Sequence, residues 1–315
     1  MKVFLSIKGQ TDFSEMTNLA QKASNVGFAG LSLSEDLESC GPDAFVTIAA
    51  LSKSCPDLAF MTNVVNQYSR HPLALATAVF SSIDLLDQKF VFGLGPGSPS
   101  TSIALNFESK RPLERLQEVL EILRGLAHNP REFHFAGKYF KIQGVSPVRE
   151  KVYSLRIFIP GIQDKAVGFA ATFGDGIMIS NFSSLGYVRH VRDVIAKSRP
   201  LQGFGIACNV TYIPMNEVSE GLKVARPFAE RFLSFPGIGE SLLEHSGFDH
   251  NIALEVRRGS FDRVTNEVVE SMAVVGNHDK LLERLRSLEK LGVEYVTLET
   301  EPFLQEKLVS DEIGI

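Results

Sequence analysis

The chain has 315 residues and a mass of 34.7 kDa, enough to bury roughly three-quarters of its unfolded surface without help from disulfides or a structural metal. A composition of 44% hydrophobic and 22% charged residues excludes the disordered class. The formal charge of -5, from 32 Lys plus Arg against 37 Asp plus Glu, has the wrong sign for gripping nucleic acid, and no basic run forms a separate face. The longest mainly apolar stretch, residues 73–80, is far below the ~20 residues that span a bilayer, and the apolar run at 3–7 is too short for a signal-peptide core. Cys40, Cys55 and Cys208 are odd in number and lack paired zinc spacing, so they read as small buried hydrophobes. The expectation is a reduced, cytoplasmic protein acting on a small molecule, with no nucleic-acid, membrane or metal partner.

Short β-rich runs alternate with stretches of helical period. Residues 3–7 (VFLSI) form a first strand, and Ser14 caps a helix whose Met16, Leu19, Ala20, Ala23 and Val26 share one face before Gly27 stops it. Residues 30–34 make strand two, Pro42 opens the next helix, and 58–64 make strand three. Pro72 sits where a first-turn proline belongs, starting a helix to Leu86, and 90–95 (FVFGLG) is strand four. The rhythm then breaks. Residues 111–126 read as a long amphipathic helix and 128–152 as a meander, together an excursion over the barrel mouth. Strands five to eight follow at 155–160, 176–180, 204–213 and 295–299. Several helices fill 217–271, the first broken or kinked at Pro227, and Asn277 caps the last long helix. Eight strands alternating with helices predict one α/β domain over residues 1–315, a (β/α)8 TIM barrel with insertions after strand 4 and between strands 7 and 8. A doubly wound sheet would want a glycine fingerprint after strand one, and Lys8-Gly9-Gln10 does not supply it.

In a barrel, function belongs to residues just past the strand C-termini. These are Lys8, Ser34, Glu35, Asp36, Asn63, Asn66, Gly95, Gly97, Ser98, Gly161, Gln163, Asp164, Lys165, Ser180, Asn181, Thr211, Glu299 and Thr300. The set is polar and amide-rich, with few nucleophiles beside a base, which suits positioning an organic cofactor. Glu35 and Asp36 read evenly as an acid/base pair or as loop-solvating charges. Residues 161–165, ahead of a helix, read evenly as a phosphate cradle or an ordinary turn. His71 reads as a capping or packing residue, and His128, His134, His245, His250 and His278 as surface or loop residues.

The string NVVNQYSRHPLALATAVFSSIDLLDQKFVFGLGPG, residues 63–97, resembles the third and fourth βα units of the bacterial-luciferase-like superfamily, most closely its methylenetetrahydromethanopterin reductase branch. RPLERLQEVLEILRGL, FAGKYFKI, GIQDKAVGFAATFGDGIMIS, LLEHSGFD, RRGSFD and MAVVGNHDKLLERLRSLEKLGVEYV continue the likeness in family order. The resemblance implies a TIM barrel that binds the deazaflavin coenzyme F420, with FMN in its place in the monooxygenase branches, and a homodimer. It implies a non-proline cis peptide behind the ring at Asn63-Val64 and a phosphate-cradling loop of Gly161, Ile162, Gln163, Asp164 and Lys165. Asn66, Gly95, Gly97, Ser98 and Ser180 complete the implied cofactor site. The chain departs from the family at Glu35-Asp36, which stand where the branch has an Asp-His pair, at Ser98 in place of an acid, at Asp164-Lys165 in place of Gly-Pro, and in strand one, which carries no carboxylate. The expectation is an F420-dependent oxidoreductase in which Glu35 and Asp36 handle the proton. The alternatives are an FMN-dependent luciferase-like monooxygenase and a cofactor-binding homologue without turnover.

Overall fold

The computed structural model describes residues 1–7, 12–106, 110–128, 131–148 and 151–310; Lys8 lies outside them. Eight parallel strands close on themselves: β1 (Lys2–Ile7), β2 (Gly30–Leu33), β3 (Ala59–Thr62), β5 (Phe90–Gly95), β8 (Ile157–Pro160), β9 (Gly176–Ile179), β10 (Gly205–Ile213) and β12 (Tyr295–Glu299). Closure is made where Leu5 of β1 aligns with Leu298 and where Thr211 of β10 aligns with Glu299. This is an α/β TIM barrel. A two-residue strand β4 (Val65–Asn66) adds to β5, and β11 (Val274–Val275) adds to β10.

Period-two alternation sends one set of strand side chains inward and the other onto the surrounding helices. Phe4, Ala59, Met61, Val91, Phe158, Met178, Ala207 and Tyr295 form a core inside the barrel, separate from the large core between strands and helices. Tyr295 packs edge-on against Phe4 and Phe158, with centroids 5.8 and 5.7 Å away. Glycine makes room for these rings: a Cβ on Gly176 would lie 2.4 Å from the Phe158 ring.

Between β5 and β8 lie helices α4 (Pro99–Ala104) and α5 (Pro112–Ala127) and an antiparallel hairpin of β6 (Phe133–Ala136) and β7 (Lys141–Val145). The predicted face of α5 is the buried one, through Leu116, Val119, Leu120, Leu123 and Leu126. Between β10 and β12 lie α8 (Val218–Ser234), α9 (Ile238–Glu244), α10 (Asn251–Arg257), α11 (Asn266–Met272) and α12 (His278–Lys290).

Four local expectations are corrected. Asp12 rather than Ser14 caps α1 (Phe13–Asn25), because its carboxylate accepts from the N–H groups of Ser14 and Glu15. Strand three ends at Thr62, cut from β4 by the Asn63-Val64 bulge. Helix α8 runs through Pro227 without a break, because Pro227 and Lys223 are exposed and the carbonyl that the missing N–H leaves over is on the solvent side. Cys55 and Cys208 are buried as expected, but Cys40 is exposed with φ of 51° in the loop after β2.

Candidate active site

The inward phase that carries Phe4, Met61, Ala207 and Tyr295 continues upward to Ser6, Asn63, Asn209 and Glu299, so the barrel interior turns from apolar to polar at its C-terminal end. These residues, with Ser34, Asn181 and Thr101, line a cavity of about 560 Å³ closed on one side by the loop 35–42. Such a volume is that of a small-molecule site. No Lys, Arg or His lines it among the described residues.

Asn63, just past β3, and Asn209 of β10 stand on opposite sides of the barrel, and Asn63 Nδ2 donates to Asn209 Oδ1 at 2.7 Å. Asn181, just past β9, donates through Nδ2 to Glu299 Oε2. Its Oδ1 is buried and has no partner among the described residues.

The residues singled out from sequence divide into two groups. Ser34, Glu35, Asp36, Asn63, Asn181 and Glu299 line the cavity, and the others among the described residues stand behind or beside it. Glu35 is held on both oxygens: Arg70 pairs with Oε1 and the Asn66 N–H donates to Oε2 at 2.8 Å. Arg70 also reaches Asp43, the N-cap of α2 (Ala44–Ser54). Asp36 accepts from the N–H groups of Glu38 and Ser39 and from the Ser39 hydroxyl, which folds the loop around it. The peptide bond Asn63-Val64 is cis. Gly95 lies against it, since a Cβ there would sit 2.7 Å from Val64 Cγ2. Asn66 Oδ1 accepts from the Tyr68 N–H, and Gly97, at φ of 87°, runs beside the Tyr68 ring. Ser98 caps α4 and donates to Glu38 Oε1 at the rim.

Gly161, Ile162 and Gln163 lead into α6 (Asp164–Phe173), where a Cβ on Gly161 would meet the Ala166 backbone at 3.0 Å. The N–H groups of Ala166 and Val167 donate to the Gln163 carbonyl, which leaves those of Asp164 and Lys165 ahead of the helical ladder. Lys165 is exposed, and Ser180 accepts from the Ser183 hydroxyl through its carbonyl. Asp164 Oδ1 meets His190 Nε2 at 2.6 Å, and His190 stacks on His245 with centroids 3.4 Å apart and planes 9° off parallel. Ligand atoms of this trio lie within 4.8 Å of one another. The Asp164–His190 contact thus lies against a second imidazole, that of His245.

Sequence reading missed Arg70, Asn209 and the meeting of His190 with His245. For Asn209 the signal was present: it is two residues before Thr211 and shares its phase on strand seven.

The profile of the luciferase-like monooxygenase family matches residues 1–295. The chain belongs to that family. Among luciferase-like relatives, the 5,10-methylenetetrahydromethanopterin reductase of Archaeoglobus fulgidus is 24% identical over 318 residues, covering 94% of this chain and 92% of the relative. The structure of the coenzyme F420-dependent tetrahydromethanopterin reductase from Methanopyrus kandleri has a TM-score of 0.79 at 16% identity, covering 99% and 96% of the two chains. A Pseudomonas putida type II Baeyer-Villiger monooxygenase in complex with FMN has a TM-score of 0.72 at 16% identity, covering 98% and 94%. Luciferase-like proteins of this fold thus include both F420 and FMN users.

The mouth fits a planar cofactor of this kind on two counts. Asn181 keeps a buried acceptor without a partner, and the amides of Asn63 and Asn209 offer both donors and acceptors to a ring edge. Gly95 and Gly161 are buried, and the absence of a side chain lets their backbone pack closely on Val64 and on Ala166 at the two places where the family resemblance puts ring and phosphate.

Proposed function

We propose that this luciferase-like barrel is a coenzyme F420-dependent oxidoreductase of the methylenetetrahydromethanopterin reductase type. What carries the reading is the match to the Archaeoglobus reductase over 94% of the chain. The cavity supports it, because a floor of neutral amides, with no cationic side chain among the described residues, suits a ring that changes by two electrons.

When bound, the deazaflavin supplies the hydride chemistry, and the chain's part is to orient, to exclude water and to move a proton. The Asn63-Val64 backbone and Gly95 would back the ring, and Asn63, Asn181 and Asn209 would hold its polar edge. Residues 161–165 would take the phosphate at the start of α6, on the N–H groups of Asp164 and Lys165, aided by the Lys165 side chain. Arg70, through Glu35 and Asp43, would keep the loop 35–42 over the site. The same resemblance points to a homodimer, which a monomer mass by light scattering at micromolar concentration would reject.

The deciding experiment is to titrate the purified protein with F420 and with FMN, following ring fluorescence. F420 is expected to bind at least tenfold more tightly. Equal or tighter FMN binding would replace this reading with that of an FMN-dependent monooxygenase, and binding of F420 without reduction of methylenetetrahydromethanopterin would leave the substrate open within the same reaction class.

A further inference from the structure

Away from the mouth cavity, three metal-ligating side chains from three separate helices come together. Asp164 is the first residue of α6, His190 stands in the second turn of α7 (Leu185–Ser198), and His245 is the C-cap of α9. Asp164 Oδ1 meets His190 Nε2 at 2.6 Å, the two imidazoles stack with centroids 3.4 Å apart, and one ligand atom from each residue lies within 4.8 Å of the others. None of the three lines the mouth cavity.

The frame beneath the trio is fixed by contacts that leave the three side chains out. Tyr187, buried one turn ahead of His190, donates its hydroxyl to the Ile162 carbonyl and so ties α7 to the lead-in of α6. The Ser246 hydroxyl meets that of Ser184, the N-cap of α7, at 2.7 Å. A Cβ on Gly186 would lie 2.3 Å from the His245 carbonyl oxygen, so the first turn of α7 rests directly on the residue that carries the second ring. A cation would therefore find its ligands already gathered.

The chemistry of the set selects the cation. Two like charges stacked at 3.4 Å repel, so the pair favours at least one neutral ring with a nitrogen lone pair to offer. A carboxylate oxygen and an imidazole nitrogen bound to one metal at about 2.0 to 2.2 Å stand about 3.0 to 3.4 Å apart. The Asp164–His190 contact would have to open by roughly half an ångström to admit the metal. The Asp164 side chain is 63% exposed and His245 is partly exposed, so rotation about their side-chain bonds covers such changes. Imidazoles with one carboxylate suit zinc and its transition-metal neighbours, whereas magnesium and calcium take oxygen ligands.

We propose that Asp164, His190 and His245 form a binding site for one divalent transition-metal cation of the zinc type, which ties the start of α6 to α7 and to the end of α9. Three protein ligands leave a remaining position to water. The ligand from Asp164 is its side chain, whereas the phosphate reading above uses its N–H. The site thus lies beside that stretch and does not depend on which cofactor the barrel takes.

The test uses the full chain in a Cys40→Ser background, which removes the exposed thiol as a competing ligand. After treatment with EDTA and desalting, zinc alone is titrated by calorimetry at neutral pH into this protein and into its His190→Asn, His245→Phe and Asp164→Asn variants, with magnesium as the control ion. Melting without metal checks that each variant folds. One zinc per chain is expected at micromolar or tighter affinity, raising the melting temperature by about 3 °C at a hundredfold excess over Kd. Each substitution should weaken binding at least tenfold and remove that rise, and magnesium should bring neither binding nor stabilisation. Zinc affinity weaker than about 100 μM, or a site retained unchanged in His190→Asn and His245→Phe, would overturn the proposal. Where a substitution prevents folding, the Cys40→Ser protein decides alone: zinc should shield His190 and His245 from diethyl pyrocarbonate, read by peptide mass spectrometry, and unshielded rings would overturn it equally.

Discussion

The side-chain amides of Asn63 and Asn209 meet across the barrel axis, Nδ2 of the first on Oδ1 of the second at 2.7 Å, with a longer return contact of 3.5 Å. The pair stands directly above the apolar layer of Met61 and Ala207. It thereby separates an apolar barrel interior from a polar mouth. Replacing Asn209 by Ala removes one partner and leaves the half-buried Asn63 amide to water, which costs about 1 to 2 kcal/mol. Urea unfolding should show this loss, together with at least a tenfold drop in cofactor affinity by ring fluorescence. A variant as stable and as retentive as the parent would mean that the pair neither closes the barrel nor touches the ring.

Arg70 joins two carboxylates, Glu35 with its side chain 4% exposed and Asp43 with its side chain 37% exposed. Arg70→Ala leaves Glu35 nearly buried without its cation, at a cost of about 3 kcal/mol. Arg70→Lys should recover less than half of this, because one ammonium cannot fork between both acids. Equal melting temperatures for the two variants would count against the bridging role.

Gly95→Ala places a methyl group 2.7 Å from Val64 Cγ2 and 3.4 Å from Pro160 Cγ. Val64 is partly buried at the top of the inner core, so it must shift toward the mouth, at about 1 to 2 kcal/mol of overpacking. Cofactor affinity should fall by more than that stability loss explains. Unchanged F420 and FMN affinity in a folded Gly95→Ala protein would place the ring away from Val64.

His245 has its imidazole pKa lowered by burial first and by the neighbouring His190 second, against the opposing pull of Glu244 and Asp164. A folded value below the unfolded one, near 6.5, means that the unfolded chain binds the proton first as acid is added. This contribution is whole above about pH 7 and is lost as pH falls through 6.5 toward the folded value. Stability measured by urea unfolding should therefore decline between about pH 7 and pH 5.5, and His245→Phe, which keeps a flat ring over His190, should flatten the decline. A slope unchanged by the substitution would assign the titration elsewhere.

Burial pushes the Cys208 thiol up to about 12 and raises that of Cys55, while Cys40 is exposed in the loop after β2. Since the thiolate is the reactive form, a thiol reagent at neutral pH should titrate one cysteine in the native protein and three after unfolding. Cys40→Ser should remove the fast reaction. Rapid modification of Cys208 in the folded state would show that the packing between β10 and its surrounding helices opens readily.

The order of strands and helices was legible in the sequence because it depends on local phase. Residues 3–7, 90–95 and 295–299 announce strands by their own composition, and α5 shows its buried face in the spacing of Leu116, Leu120 and Leu123. The chain bend at Asn63-Val64 came from likeness to a family string, not from any property of Asn or Val. The partners at the mouth came from neither source. Asn63 and Asn209 are 146 positions apart, Asn181 and Glu299 are 118 apart, and Arg70 finds Glu35 across 35. Local periodicity says that a residue points inward but not which residue it faces, since that depends on strand register and on closure of the whole barrel. The sequence thus determined the barrel and the polar character of its mouth. Only the tertiary structure decided that Arg70 and the Asn66 N–H hold Glu35 and that Asn181 meets Glu299 across the mouth, because hydrogen-bond partners are chosen by proximity in space.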